Sequence, residues 1–142
     1  YSFAVVRNPY SRIVSLYKEA YRILDNRRPM ADYIESLGLD IKNWRKGLNY
    51  FVEEILPRKT LYPLLKPQFS YISRDSKIDV DYLIRFEDIT KEFIKIQQIE
   101  DCFRNLNHIG KGVDIQEDLT YNSKKIIQNY YEQDFFYLGY KK

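Results

Sequence analysis

Arg7 ends an apolar, β-branched run, Phe3-Ala4-Val5-Val6, and the dipeptide Asn8-Pro9 follows it at once. Proline stops a strand and pre-sets the first turn of a helix, with Asn8 placed as the cap. That helix would carry Ser11, Arg12 and Ser15 on one polar side, at the three- and four-residue steps that make helical neighbours. An arginine at a strand end, beside a helix terminus with free backbone N–H groups, suits an anion. The guanidinium forks onto phosphate oxygens, and the helix dipole adds positive potential. Ser15 could donate a hydroxyl to the same anion. The pattern also describes an ordinary capped helix whose polar side faces water.

The elements that must hold Arg7 alternate between strand and helix. Tyr1 to Val6 reads as a strand, and Ile13, Leu16, Tyr17, Ala20, Ile23 and Leu24 mark the buried face of the helix after it. Pro29 leads into a short helix, Met30 to Leu37, which Gly38 ends. Asp40 caps a third helix carrying Ile41, Trp44, Leu48, Phe51, Val52 and Ile55, closed by Pro57. Trp44 belongs to that stripe and reads as core. Prolines at 57, 63 and 67 break regular structure, so Tyr62 to Tyr71 is expected to be a shaped loop with short extended pieces.

Tyr82-Leu83-Ile84 suits a central strand buried on both faces, ended by Glu87 and Asp88. Thr90 or Asp88 caps the next helix, with Phe93, Ile96, Ile99, Phe103 and Leu106 as its stripe. Asn107 to Asp118, with Lys111 between Gly110 and Gly112, reads as a mobile loop. Ser123 is expected to cap a last helix through Ile126, Ile127, Tyr130 and Tyr131, before an aromatic tail of Phe135, Phe136, Tyr137 and Tyr140. Strands alternating with helices argue for an α/β fold with a small, mostly parallel sheet flanked by helices, in which ligands gather at the carboxyl ends of strands. Arg7 lies at such an end. Only two good strands are visible, so the sheet is expected to leave open edges.

Composition narrows the chemistry. The 142 residues are 44% hydrophobic and 16% aromatic, enough to bury a single core without a disulfide or metal staple. Cys102 is the one cysteine and His108 the one histidine, which excludes an internal disulfide, a thiolate zinc site and any mechanism using two imidazoles from this chain. A net charge of +3, from 23 basic and 20 acidic residues, is too small and too evenly spread to mark a nucleic-acid binder. Arg27-Arg28 and Lys141-Lys142 read as solvated surface. No stretch approaches the ~20 apolar residues of a membrane helix. Without an anchor, a disulfide pair or a glycosylation sequon in the chain, a cytoplasmic location is expected.

The stretch from Phe3 to Tyr17 resembles the 3′-phosphate-binding motif of the sulfotransferases, in which an Arg at a strand end and a Ser eight residues on hold the 3′-phosphate of the donor. Arg7 and Ser15 match those two positions. Further segments follow in the family's order. Leu64-Leu65-Lys66-Pro67-Gln68 resembles its Pro-Gln segment, Tyr82 to Ile89 its strand ending in Phe/Tyr-Glu, and Leu106 to Lys111 its late, cofactor-proximal loop. The ending from Tyr130 to Tyr140 resembles the Tyr-x-x-Asp-Phe-x-x-x-Gly-Tyr close of the carbohydrate sulfotransferase branch. The likeness spans nearly the whole chain, its first and last motifs being the more specific.

This resemblance implies a P-loop-like sulfotransferase fold, with residues 1–142 forming the C-terminal part of a larger domain. Members begin with a strand and a loop that cradles the 5′-phosphosulfate by backbone amides, and nothing in the chain matches that loop. The chain is therefore expected to be a piece of a longer protein, and to hold half of a donor site. The implied activity is sulfuryl transfer from 3′-phosphoadenosine 5′-phosphosulfate to a carbohydrate hydroxyl, with no metal and with adenosine 3′,5′-bisphosphate as product. Arg7, Ser15 and Lys111 are the candidate donor-binding residues, and Gln68 the candidate acceptor contact.

Each candidate has a plainer role beside it. Lys111 also reads as an exposed loop lysine, and Gln68 as a surface amide. Glu87 could orient an arginine or act as a base, capping or an ion pair being the simpler role. His108 sits where the family has its late loop, so a structural or cofactor-loop role is favoured over catalysis. Tyr10, Tyr62 and Tyr71 could stack on a sugar or adenine, although most of the 14 Tyr and 8 Phe must be core. Leu64 stands where many relatives carry a histidine, which leaves the base unassigned. The rival readings are a non-catalytic nucleic-acid-binding domain, with tyrosines stacking on bases, and a degenerate family member kept as a scaffold.

Overall fold

Phe3, Val5 and Val6 give the first strand, β1 (Phe3–Val6), its β character, and its side chains alternate between two surroundings. Val6 is buried, whereas Phe3 and Val5 are 41% and 43% exposed. The computed structural model describes residues 2–26, 46–58, 63–92, 94 and 118–142, with the backbone alone for 19–26. Within these residues the fold is mixed α/β with a small parallel sheet.

Three further strands follow: β2 (Ser73–Arg74), β3 (Lys77–Ile78) and β4 (Tyr82–Arg85). β1 pairs with β4 in parallel, from Phe3 opposite Tyr82 to Val6 opposite Arg85. β2 and β3 form a separate antiparallel hairpin turned by Asp75 and Ser76, both at positive φ (49° and 60°). Hairpin turns of the primed type need this backbone, and it is disfavoured for residues other than glycine. The sequence offers no Asn-Gly or Asp-Gly signal there, which is why no hairpin is read from it.

Helix α1 (Pro9–Asn26) starts as its sequence demands. Pro9 occupies the first turn, Asn8 Oδ1 accepts the Tyr10 N–H (3.0 Å), and the Asn8 carbonyl accepts the Arg12 N–H (2.8 Å). The helix buries Ile13 and Tyr17 against α2 (Leu48–Tyr50) and the wider turn that continues it, where Phe51 lies 5.5 Å from the Tyr17 ring. Leu48, Phe51, Val52 and Ile55 are all buried, as their spacing predicts. The regular helix ends at Ile55, just ahead of Pro57. The Leu56 N–H reaches back to the Phe51 carbonyl, and the chain tightens into a 3-10 turn, Leu56–Arg58, that contains the proline.

A short α3 (Phe69–Ile72) precedes the hairpin, and α4 (Tyr121–Tyr130) and α5 (Glu132–Tyr137) close the chain. The cap of α4 is Thr120, whose Oγ1 accepts the Ser123 N–H (3.1 Å), so the helix starts earlier than the sequence suggests. Ser123 is fully buried in the first turn and donates to Glu53 Oε1 (2.9 Å). Ile127, Tyr131 and Phe135 join Ile13, Tyr17, Phe51 and Leu65 in the main core. A smaller cluster of Val6, Phe69 and Leu138 lies under the sheet.

β4 is less enclosed than a central strand. Ile84 is buried, but Tyr82 and Leu83 are half-buried, because β1 is its one partner strand among the described residues. At its end, Arg85 Nη2 donates to the carbonyls of Leu138 (3.0 Å) and Gly139 (3.2 Å), tying the C-terminal segment to the sheet. Among the described residues no helix is long and apolar enough to cross a membrane. The short helix expected over 30–37, most of the helix after residue 90 and the loop at 107–117 lie outside the described residues, with Trp44, Tyr62, Cys102, His108 and Lys111.

Candidate functional site

Arg7 is the first residue past β1, and its backbone is held by a side chain. The Arg7 N–H donates to Gln68 Oε1 (2.8 Å), and Gln68 Nε2 donates to the Arg7 carbonyl (2.8 Å). The guanidinium turns onto the Phe86 ring, 4.4 Å from its centroid, and Nε donates to Ser11 Oγ (3.2 Å). Its two outer nitrogens make no hydrogen bond with any described residue and so present an open fork. Ser15 sits one turn beyond Ser11 on the same side of α1, half-buried, with a hydroxyl that bonds no described residue.

The free helix terminus expected from the sequence is largely taken. Glu87, just past β4, accepts the Asn8 N–H at Oε1 (2.7 Å) and the Tyr140 hydroxyl at Oε2 (3.2 Å). The Tyr10 N–H goes to Asn8, the Arg12 N–H to the Asn8 carbonyl, and Pro9 has none. A carboxylate of the chain itself therefore fills the place that the helix dipole offers to an anion. Burial opposes the charge on Glu87, yet the Asn8 N–H, its own backbone N–H, the Tyr140 hydroxyl and the Arg7 charge together hold its pKa below the ordinary 4.5. Burial, and then the Glu87 charge, push the Tyr140 hydroxyl up, so it stays a donor. What is left for an external anion is the outer edge of Arg7 with Ser15.

Gln68 is not a surface amide. Besides its paired bonds to Arg7, Nε2 lies 3.3 Å from Asp134 Oδ2, and its backbone N–H donates to the same oxygen (2.9 Å). Both partners of Nε2 are pure acceptors and the partner of Oε1 is a donor, which fixes the orientation of the amide. With its polar atoms engaged inside the protein, Gln68 supports Arg7 in this structure and reaches outward with none of them.

Asp134 carries no role in the sequence reading, although it stands in the Tyr-x-x-Asp-Phe motif. It is fully buried, and its other oxygen accepts the Phe69 N–H (2.8 Å). The available signal was a carboxylate directly ahead of Phe135, Phe136 and Tyr137, since an acidic group drawn into the core with them must be paired or multiply hydrogen-bonded. Arg12 likewise departs from the expected polar side. Its side chain is 13% exposed, with Nη2 donating to the carbonyls of Leu64 (2.6 Å) and Lys66 (2.9 Å) and Nη1 4.0 Å from Asp134 Oδ2. It pins the 64–66 segment and faces inward.

Tyr10 is unavailable for stacking on a ligand. Its ring packs 5.2 Å from that of Phe135, and its hydroxyl accepts from Gln128 Nε2 (2.6 Å). Tyr71 is 56% exposed, with its hydroxyl donated to the Pro63 carbonyl. A cavity of about 470 Å³ opens between Phe135, Phe136, Tyr137 and Tyr140. It touches neither Arg7 nor Ser15, and meets the site only through Tyr140. Compared with protein-family models, curated proteins and solved structures, the chain matches none of them.

Proposed function

We propose that this chain is the 3′-phosphate-binding part of a sulfotransferase that uses 3′-phosphoadenosine 5′-phosphosulfate to sulfate a carbohydrate hydroxyl. The observation that carries the reading is the open outer edge of the Arg7 guanidinium at the carboxyl end of β1, held 4.4 Å over the Phe86 ring and followed along α1 by the Ser15 hydroxyl, which bonds no described residue. The order of the motifs along the chain supports it. So does the β1–α1 unit packed beside parallel β4, the part of a P-loop-like sulfotransferase fold that this proposal assigns to the chain.

In this reading the Arg7 fork takes two oxygens of a 3′-phosphate, a charge-assisted and geometrically selective contact. Phe86 holds the plane of the guanidinium, and Ser15 donates to a third oxygen. The donor supplies the sulfuryl group, which moves in line to the acceptor hydroxyl. The chain orients that donor through its nucleotide end. Leu64 brings no proton acceptor to the Pro-Gln segment, so the described residues hold no assigned base.

Calorimetric titration of adenosine 3′,5′-bisphosphate, with adenosine 5′-monophosphate as control, tests the proposal. Selective binding, weakened about a hundredfold in Arg7→Ala, is expected for loss of a charged, paired contact. An Arg7→Ala affinity within twofold of the parent overturns it. The carboxylate of Glu87 at the helix terminus favours a second reading, a scaffold member whose anion site is satisfied internally. That reading predicts no binding of the bisphosphate in a folded sample.

A further inference from the structure

Arg7 stands where β1 would need another ladder rung, and no strand among the described residues supplies it. The side-chain amide of Gln68 does, pairing with both the N–H and the carbonyl of Arg7 at 2.8 Å. A glutamine side chain loses rotamer freedom in such a pairing, so something must hold it. Asp134, fully buried on α5, accepts from Gln68 at the backbone N–H (2.9 Å) and at Nε2 (3.3 Å), and from the next N–H, of Phe69 (2.8 Å). Arg12 secures the segment leading into Gln68 by its bonds to the carbonyls of Leu64 and Lys66.

We infer that Gln68 and Asp134 are positioning residues for Arg7, a relay from the C-terminal Tyr-x-x-Asp-Phe segment through the Pro-Gln segment to the end of β1. The inference rests on the proposed phosphate-binding role of Arg7. It gives one physical task to three motifs that lie far apart in sequence. The backbone of Arg7 sets the direction in which its side chain leaves the strand. Losing the amide rung frees the strand end, and the guanidinium no longer waits over Phe86 in a single orientation.

The test is a double-mutant cycle read in two ways. Gln68→Met keeps the volume and removes both bonds to Arg7. It is expected to weaken adenosine 3′,5′-bisphosphate binding about tenfold, with little change for adenosine 5′-monophosphate. Added to Arg7→Ala it should cost nothing more, because Gln68 acts through Arg7. A folded Gln68→Met protein that binds within twofold of the parent, or a loss that adds in full to that of Arg7→Ala, overturns the relay. The second reading needs no ligand. Hydrogen exchange at the Arg7 amide should speed up at least tenfold in Gln68→Met, and unchanged protection overturns the inference. If Arg7→Ala leaves binding unchanged, the phosphate-binding proposal fails by itself, and the exchange result still decides whether Gln68 holds Arg7. Gln68→Ala gives the same two readouts should the methionine variant not fold.

Discussion

Replacing Asp134 with alanine removes the one acceptor that serves the N-terminus of α3 and the Gln68 amide together. In the parent, Asp134 has no exposed surface and accepts from the backbone N–H groups of Gln68 and Phe69 and from Gln68 Nε2. Nε2 keeps the Arg7 carbonyl after the change, but the two backbone donors lose their partner. A buried donor left unsatisfied costs about 1–3 kcal/mol. The carboxylate's own burial penalty is relieved at the same time, while Arg12 loses its nearby anion at 4.0 Å. The sum is roughly 3–5 kcal/mol, a large part of the ~5–15 kcal/mol that holds a domain together. Urea unfolding followed by circular dichroism measures it as a lower midpoint at unchanged slope. Asp134→Asn retains one acceptor oxygen and should lose about half as much. An alanine variant within about 1 kcal/mol of the parent would refute the claim that this carboxylate organises the 64–69 segment.

Two further outcomes follow from single residues. Gly139 adopts φ +69°, and a Cβ there would lie 3.0 Å from Arg85 Nη2, itself bonded to the Leu138 and Gly139 carbonyls. Gly139→Ala should therefore cost about 1–3 kcal/mol in urea unfolding, and a neutral result would show that the segment readjusts freely. Glu87 has its pKa held below 4.5 in the fold. Its stabilising contribution is thus complete above 4.5 and fades as the pH drops through the lowered value. Glu87→Gln should lower the melting temperature at neutral pH and flatten its decline as the pH falls through 4.5 and below, and an unaltered acid limb would count against the cap.

Much of the local framework was legible from residue types. Tyr1 to Val6 reads as strand and forms one over Phe3–Val6, Asn8-Pro9 reads as a helix start, and Leu48, Phe51, Val52 and Ile55 as part of one buried stripe, and the last two are found so. These signals are local, set by steric preference and by periodic burial of apolar side chains. The hairpin at 73–78 escaped because Asp75 and Ser76 adopt a backbone that their types disfavour. The cap of α4 was misplaced by three residues, since Thr120 and Ser123 are both capping types and only burial of Ser123 against Glu53 separates them.

The sequence alone determined that Arg7 leaves a strand into a capped helix, with Ser11 and Ser15 following in steps of one turn, because those relations involve neighbours along a single element. Only the tertiary structure decided what surrounds Arg7. It brought Gln68, 61 residues away, onto the Arg7 backbone, and Asp134, 66 residues beyond Gln68, behind it. It also set Glu87, 79 residues from Asn8, on the helix terminus that the sequence had left open for an external anion. Buried donors and acceptors must find partners wherever packing places them, and no spacing rule within a segment carries that information.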